Sequence, residues 1–290
     1  MRINFQFVET QSLTSISWRA WPANVLTFCN LGAGALVAWW AASEFDLGWA
    51  AAEWAASIGA DGWLMEAMRV SERRVMGIYL MLAVWGFGVV CDVLDGAVAR
   101  AMGADGKQGA LLDSMADLVS GGLAPAFVGL ALMKEWSLSG LALWEGSWTT
   151  GLPLLILPAA AWRLARYAGE AMSDTPKKEG LDFEGIPAPF SALWWGLLLL
   201  AWAGWSGEGG DWLWLTGLAG GTLLPLWMSS RFPQFGLKEW GRDRRMDGAR
   251  LAWIVAVVFL VAFGGSTGLF LALISYPMMG AILHRTLLTN

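Results

Sequence analysis

The sequence predicts an all-α polytopic membrane protein, a helical bundle with about eight transmembrane helices. Of its 290 residues, 56% are hydrophobic and 15% are charged, whereas about a quarter of the residues in soluble domains are charged. The chain also contains 21 Trp residues, a residue type that is enriched where helices cross the membrane interface. Apolar runs of about 20 residues are long enough to span a bilayer. The predicted spans are 24–43, 75–95, 111–133, 150–168, 187–205, 211–229, 249–265 and 267–284.

The segments between these spans differ in length and polarity. Residues 44–74 place three Trp residues among acidic ones, which predicts an extracytoplasmic, interfacial helix. Segments 171–186 and 230–248 are polar loops. We therefore expect a cytoplasmic juxtamembrane segment, a membrane domain that carries the chemistry, and a C-terminal pair of transmembrane helices. These parts cover residues 1–23, 24–240 and 241–290.

The basic residues are distributed unevenly between the two predicted membrane faces. Eight spans place both termini on one side. If that side is the cytoplasm, it holds 15 of the 19 Lys and Arg residues, and Arg69, Arg73, Arg74 and Lys134 lie outside. Short cytoplasmic loops carry an excess of positive charge. The asymmetry predicts a protein of the cytoplasmic, or inner, membrane with its termini in the cytoplasm.

The chain contains only one His and two Cys residues. The single His, His284, lies near the C-terminus, which argues against a Ser-His-Asp or Cys-His catalytic arrangement. Cys29 and Cys91 both lie in apolar stretches. Two cysteines form neither a disulfide framework nor a four-ligand zinc site.

Four aspartates flank the connection between the second and third spans. Asp92 and Asp95 are three residues apart, and Asp113 and Asp117 are four apart, so each pair shares one helix face. Glycines between the pairs permit a reversal of the chain. These glycines are Gly103, Gly106 and Gly109. The spacing predicts four carboxylates that converge at the cytoplasmic end of a helical hairpin.

Such a cluster is unfavourable without cations. Two carboxylates 4 Å apart repel by about 4 kcal/mol at an effective dielectric of 20, and an aspartate in a spanning helix costs up to about 3 kcal/mol. Divalent Mg²⁺ or Mn²⁺ prefers all-oxygen sites, and a pair of such ions can polarise a pyrophosphate. Arg100 could grip a phosphate in bidentate fashion, while Gly96 and Ala99 leave room beside it. For any single aspartate, helix capping is an equally good interpretation.

The complete pattern resembles the signature of the CDP-alcohol phosphatidyltransferase family at all eight of its fixed positions. It runs Asp92-x2-Asp95-Gly96-x2-Ala99-Arg100-x8-Gly109-x3-Asp113-x3-Asp117. The resemblance implies that the four aspartates bind two Mg²⁺ or Mn²⁺ ions and that Asp117 is also the general base. It also implies a CDP-binding set, which includes an Asn-x-x-Thr motif in the first span. This set is Asn24, Thr27, Gly96, Ala99, Arg100 and Gly109.

Longer stretches resemble the phosphatidylserine synthases within that family. They are LDSMADLVSGGLAPAF (112–127), RLARY (163–167), FEGIPAPFSA (183–192) and WMSSRFPQFGLK (227–238). Gly121 departs from the phenylalanine that is usual there. The resemblance implies transfer of the phosphatidyl group of CDP-diacylglycerol to L-serine, which gives phosphatidylserine and CMP. It also implies a homodimer; membrane lipid is an expected partner and nucleic acid is not.

Alternatives remain for the acceptor and for the class of protein. Arg163 and Arg166 would hold the serine carboxylate or a substrate phosphate, or else only anchor the fourth span. A phosphorylated acceptor, glycerol phosphate or inositol phosphate, would need further cations, which Lys177, Lys178 and Arg242 could supply. A cation transporter could use the same aspartates. Transporters place such residues near the membrane midplane at a repeat interface, whereas these lie near one membrane face.

Overall fold

In the part of the chain that the computed structural model describes, the regular secondary structure is helical apart from one two-residue antiparallel strand pair, in which Phe183 pairs with Gln234 and Glu184 with Pro233. The prediction of an all-α fold is therefore confirmed. Most of segment 44–74, most of 1–23 and the loop residues Lys177, Lys178 and Arg242 lie outside the described residues. The structure describes residues 18–43, 70–104, 106–138, 147–172, 183–204, 211–234 and 244–288.

Helices cover each of the predicted apolar segments. They are α1 (Trp21–Ala42), α2 (Val70–Ala101), α3 (Lys107–Leu118), α4 (Ala124–Leu138), α5 (Ser147–Thr150), α6 (Ile156–Met172), α7 (Ala188–Ala203), α8 (Asp211–Ser229) and α9 (Arg244–Leu288). A π-helical turn, Val119–Leu123, joins α3 to α4, and the strands are β1 (Phe183–Glu184) and β2 (Pro233–Gln234). Short 3₁₀ turns cover Trp18–Ala20 and Leu152–Leu155.

Four helices in the described part of the chain are long and apolar enough to cross a membrane. This length and apolar composition identify an integral membrane protein. The four helices are Trp18–Ala42, Val75–Ala101, Gln108–Leu138 and Asp247–Gly264. Shorter apolar helices cover Ala188–Ala203 and Phe270–Gly280.

Helix α1 packs closely against α2 and the π-helical turn. Small residues make this approach possible. A Cβ added to Gly34 would lie 2.6 Å from the Cα of Ser120, and one added to Gly88 would lie 2.8 Å from the Cβ of Ala33. Because lipid does not drive helices together as water does, close backbone packing at small residues is a main source of association.

Tryptophans fill the interior of the bundle as well as its surface. Glycines on facing helices leave the space for them: a Cβ on Gly129 would lie 2.8 Å from the ring of Trp195, and one on Gly217 would lie 2.7 Å from that of Trp136. Location at the membrane interface therefore explains only part of the Trp content. The fully buried examples include Trp40, Trp136, Trp195 and Trp214, and the exposed ones include Trp18, Trp148 and Trp162.

Helix α9 folds back on itself. Trp253 Nε1 donates a hydrogen bond to Ser275 Oγ at 2.9 Å, and the rings of Trp253 and Tyr276 lie 5.6 Å apart. In a straight α-helix, 22 residues would separate the first two side chains by about 33 Å. The backbone must therefore reverse between them, and these contacts join residues of predicted segments 249–265 and 267–284.

Candidate active site

The connection between α2 and α3 brings three of the predicted aspartates together. Gly103 takes a left-handed conformation with φ of +59°, which glycine adopts without steric cost. The chain then re-enters a helix at Lys107. Gly109 already lies inside α3, so the expectation that it contributes to the reversal is wrong.

Carboxylate oxygens of Asp92, Asp95 and Asp113 lie within 4.8 Å of one another. We call these three residues the aspartate cluster. Oxygen-only ligand sets of this kind suit hard divalent cations, and without one the converging charges repel. The side chains that are present therefore fit a divalent metal ion.

Helix α1 supports two members of the aspartate cluster through hydrogen bonds. Thr27 Oγ1 lies 2.5 Å from Asp95 Oδ2, and Asn30 Nδ2 donates to Asp92 Oδ1 at 2.9 Å. Thr27 and Asn30 are only 4% and 1% exposed, so water does not compete for these bonds. Partners of this kind orient metal-binding carboxylates.

The sequence interpretation included Thr27 but missed Asn30. A signal was available, because Asn30 lies three residues after Thr27 within an apolar span. A polar side chain in the membrane interior needs a functional or structural reason. Asn24, one turn before Thr27, is half-buried.

Asp117 lies beside the aspartate cluster and is not one of its three members. Its electrostatic neighbours are Asp92, Asp113 and Arg163. Its Oδ1 atom is buried and has no hydrogen-bond partner among the described residues. A buried oxygen without a donor is costly, so this position favours a ligand that brings a proton or a cation. That is the environment expected of a base that receives a substrate proton.

The helix changes to π geometry just after Asp117. The backbone N–H of Ala124 bonds to the carbonyl oxygen of Val119, five residues earlier. Such π turns disturb the regular α-helical hydrogen bonds and are frequent at functional sites. Side chains from two other helices bond carbonyl groups of this turn. Trp85 Nε1 donates to Ser120 O at 3.0 Å, and Ser191 Oγ donates to Gly121 O at 2.5 Å.

Gly121 is required by the packing of this turn. A Cβ there would lie 2.8 Å from the backbone carbon of Ala188 at the start of α7. The phenylalanine that is usual in the phosphatidylserine synthases would not fit in this arrangement. The departure noted in the sequence therefore coincides with direct backbone contact between the π turn and α7.

A small cleft opens between α1, α2, the π turn and α7. It contains about 230 Å³ of empty space, part of it open to solvent. Asp92 and Asp117 contribute carboxylates to its wall. Asn30, Ser120, Pro189 and Ala192 are among the other lining residues.

Three of the residues predicted to receive CDP, Gly96, Ala99 and Arg100, lie on α2 beyond the aspartates. Gly96 and Arg100 are adjacent, because a Cβ on Gly96 would lie 3.4 Å from Arg100 Nη1. Arg100 is exposed, and Gly96 and Ala99 are partly exposed. Among the described residues, no atom lies within 4 Å of a Cβ added to Gly109. The described part of the chain therefore leaves this surface uncovered next to the aspartate cluster.

The two arginines of α6 have different surroundings. Arg163 is 7% exposed, its guanidinium lies 4.8 Å from the centroid of the Tyr167 ring, and its Nε has no hydrogen-bond partner in the described part of the chain. Arg166 instead donates to backbone carbonyls of Glu184 and Ser230, at 3.2 Å each. Arg166 therefore ties β1 to the end of α8. Arg163, beside Asp117, is the better candidate for a ligand contact.

The comparison with known families agrees with this site. The profile described as CDP-alcohol phosphatidyltransferase matches residues 21–223, well over half of the chain. The chain belongs to the CDP-alcohol phosphatidyltransferase family. The match includes the aspartates of α2 and α3 and the polar residues of α1.

The similar proteins include several named CDP-diacylglycerol–serine O-phosphatidyltransferase. The one from Mycobacterium tuberculosis is 35% identical over 115 residues, which are 39% of this chain and 36% of that protein. The one from Mycobacterium leprae is 34% identical over 114 residues, 39% of this chain and 35% of that protein. The Saccharomyces cerevisiae protein is 33% identical over 105 residues, 35% and 34% respectively. The chain spans about a third of the length of these relatives.

Proposed function

We propose that this protein transfers the phosphatidyl group of CDP-diacylglycerol to the hydroxyl of L-serine and releases CMP. The observation that carries the proposal is the surroundings of Asp117, whose electrostatic neighbours are Asp92 and Asp113 of the aspartate cluster and Arg163. The names of the relatives and the four stretches that resemble phosphatidylserine synthases favour serine as the acceptor.

In this reaction Asp117 takes the proton from the serine hydroxyl. The hydroxyl oxygen then forms a bond to the β-phosphorus of CDP-diacylglycerol. The bond between that phosphorus and the bridging oxygen breaks, and CMP leaves with the electron pair. A positioned base is needed because an alcohol is a weak nucleophile at neutral pH. The buried, unpartnered oxygen of Asp117 suits this role.

The aspartate cluster and Asp117 are the residues that would hold two Mg²⁺ or Mn²⁺ ions. When bound, such ions neutralise charge on the pyrophosphate. Thr27 and Asn30 keep Asp95 and Asp92 oriented for this task. Gly96, Ala99, Arg100 and Gly109, together with Asn24, provide the surface for the CDP group.

We further propose eight membrane crossings, with the termini and the active site at the cytoplasmic face. The distribution of Lys and Arg supports this orientation. It lets the diacylglycerol chains remain in the bilayer while the headgroup reaches the aspartates. We propose a catalytic domain over 24–240, a terminal helix pair over 241–290, and a homodimer, which the family resemblance favours.

Radiolabelled serine incorporation into lipid tests this function. Membranes that contain the protein are incubated with CDP-diacylglycerol and Mg²⁺ or Mn²⁺, and labelled lipid and CMP are measured. We expect both products in equal amounts, and about 10²- to 10⁴-fold slower formation of both by Asp117→Asn. Parallel incubations with glycerol phosphate and inositol phosphate test the other acceptors. CMP release with one of these and not with serine would contradict the proposal.

A further inference from the structure

Helix α9 brings a tyrosine close to Arg163. The helix lies beyond residues 21–223, which match the family profile. Tyr276, on the half of α9 that follows the reversal, is 8% exposed. It is one of the electrostatic neighbours of Arg163, as Asp117 is. A residue from outside the profile match therefore lies near the arginine that is the better candidate for a ligand contact.

The ring of Tyr276 is packed against two other aromatic rings. Its centroid lies 5.8 Å from that of Phe190, near the start of α7, and 5.6 Å from that of Trp253, on the first half of α9. Trp253 is held in turn by the hydrogen bond from its Nε1 to Ser275 Oγ. Aromatic pairs at such distances are favourable beyond the area that they bury. This packing fixes the position of the Tyr276 ring.

The same half of α9 contacts the wall of the cleft and the strand pair. Phe190 directly follows Pro189, which lines the cleft. One helical turn after Tyr276, Gly280 lies against the side-chain amide of the fully buried Gln234 of β2, and a Cβ at Gly280 would collide with Gln234 Oε1. Contacts with both α7 and β2 therefore set the register of this half of α9 against the site.

The guanidinium of Arg163 needs a second contact to fix its direction. It lies over the ring of Tyr167, on the same helix, and its Nε has no hydrogen-bond partner in the described part of the chain. Stacking on a ring fixes the plane of a guanidinium but not the directions of its N–H groups. A phenol oxygen carries partial negative charge, and in a buried site of low dielectric it attracts a cation more strongly than it does in water.

We propose that Tyr276 is a positioning residue, whose hydroxyl oxygen attracts the Arg163 guanidinium and holds it in the direction from which Arg163 binds the carboxylate of the acceptor. The C-terminal helix pair is then part of the acceptor site, although it lies outside the profile match. This inference rests on the proposed function and deepens it, because it assigns a residue to the orientation of serine.

The KM for serine is the first measurement, on membranes that contain the full-length wild type or Tyr276→Phe. This variant removes one oxygen and retains the ring that packs against Phe190 and Trp253. We expect the KM for serine to rise by about 3- to 10-fold, the effect of losing one polar interaction. The KM for CDP-diacylglycerol and the melting temperature should not change. Tyr79→Phe, the same change at a Tyr that is 52% exposed, is the matched control and should leave all three values unchanged.

A double-mutant cycle tests whether Tyr276 acts through Arg163. If it does, Tyr276→Phe should raise the KM for serine no further in a protein that already carries Arg163→Ala, because the side chain that it positions is absent. Arg163→Met, which keeps an unbranched side chain, takes the same place in the cycle if Arg163→Ala does not fold.

The outcomes separate the inference from the proposed function. Independent effects of the two changes, or a wild-type KM for serine in Tyr276→Phe, would overturn the inference and leave the proposed function intact. A rise in the KM values of both substrates together with a lower melting temperature would restrict Tyr276 to packing, which also overturns it. If wild-type membranes make no lipid from serine, the proposed function itself fails.

Discussion

The two aspartates of α2, Asp92 and Asp95, and Asp117 of α3 are held in different ways. Asp92 and Asp95 each receive a hydrogen bond from a buried side chain of α1. Asp117 has an oxygen that lacks such a partner among the described residues. Fixed carboxylates are suited to holding a cation, because the geometry is set before the ion arrives. A carboxylate with an open oxygen can accept a proton from a substrate.

The largest expected effect comes from removing each kind of aspartate. Asp95→Asn should abolish both turnover and metal binding, because it removes a charged ligand from the cluster. Asp117→Asn should reduce kcat by about 10²- to 10⁴-fold, the contribution of a general base, with a smaller loss of Mn²⁺ affinity. Mn²⁺ binding by paramagnetic resonance and CMP release measure the two effects. Equal losses of kcat and of Mn²⁺ affinity in the two variants would make Asp117 a metal ligand without a role as base.

The support from α1 can be removed without touching a carboxylate. Thr27→Val is nearly isosteric and removes the hydrogen bond to Asp95. Loss of a partner of this kind lowers metal affinity by about 10- to 100-fold, and saturating Mn²⁺ should restore most of the activity. Thr216→Val, which removes a bond from a partly exposed Thr to its own helix, is the control. An unchanged Mn²⁺ requirement in Thr27→Val would show that α1 does not orient Asp95.

The two arginines of α6 provide the next comparison. Arg163→Ala should raise the KM for serine with little change in thermal stability. Arg166→Ala should lower the melting temperature instead, because it removes hydrogen bonds to the carbonyls of Glu184 and Ser230. Kinetics and thermal denaturation in detergent would be measured on both proteins. If the two variants exchange these effects, Arg163 is the structural residue and the acceptor site lies elsewhere.

Apolar runs in the sequence predicted the helices. The spacing of the aspartates predicted which of them share a helix face. The partners of those aspartates could not be found in the same way. Asn30 and Asp92 are 62 residues apart, and Ser191 and Gly121 are 70 apart, so their contacts depend on how whole helices pack. Arg166 looked equivalent to Arg163 in sequence. Packing distinguishes them, because Arg166 bonds carbonyls of β1 and of the end of α8, whereas Arg163 lies beside Tyr167 and Asp117.

The smallest expected effect comes from a change at the π turn that follows Asp117. Ser191→Ala leaves the buried carbonyl of Gly121 without its donor, which costs about 1–3 kcal/mol. If the turn also sets the direction of Asp117, kcat should fall several-fold while Mn²⁺ affinity stays unchanged. Ser191→Thr, which keeps the hydroxyl, should restore kcat. A loss of thermal stability with normal kcat in Ser191→Ala would confine Ser191 to packing, and the orientation of Asp117 would then depend on α3 alone.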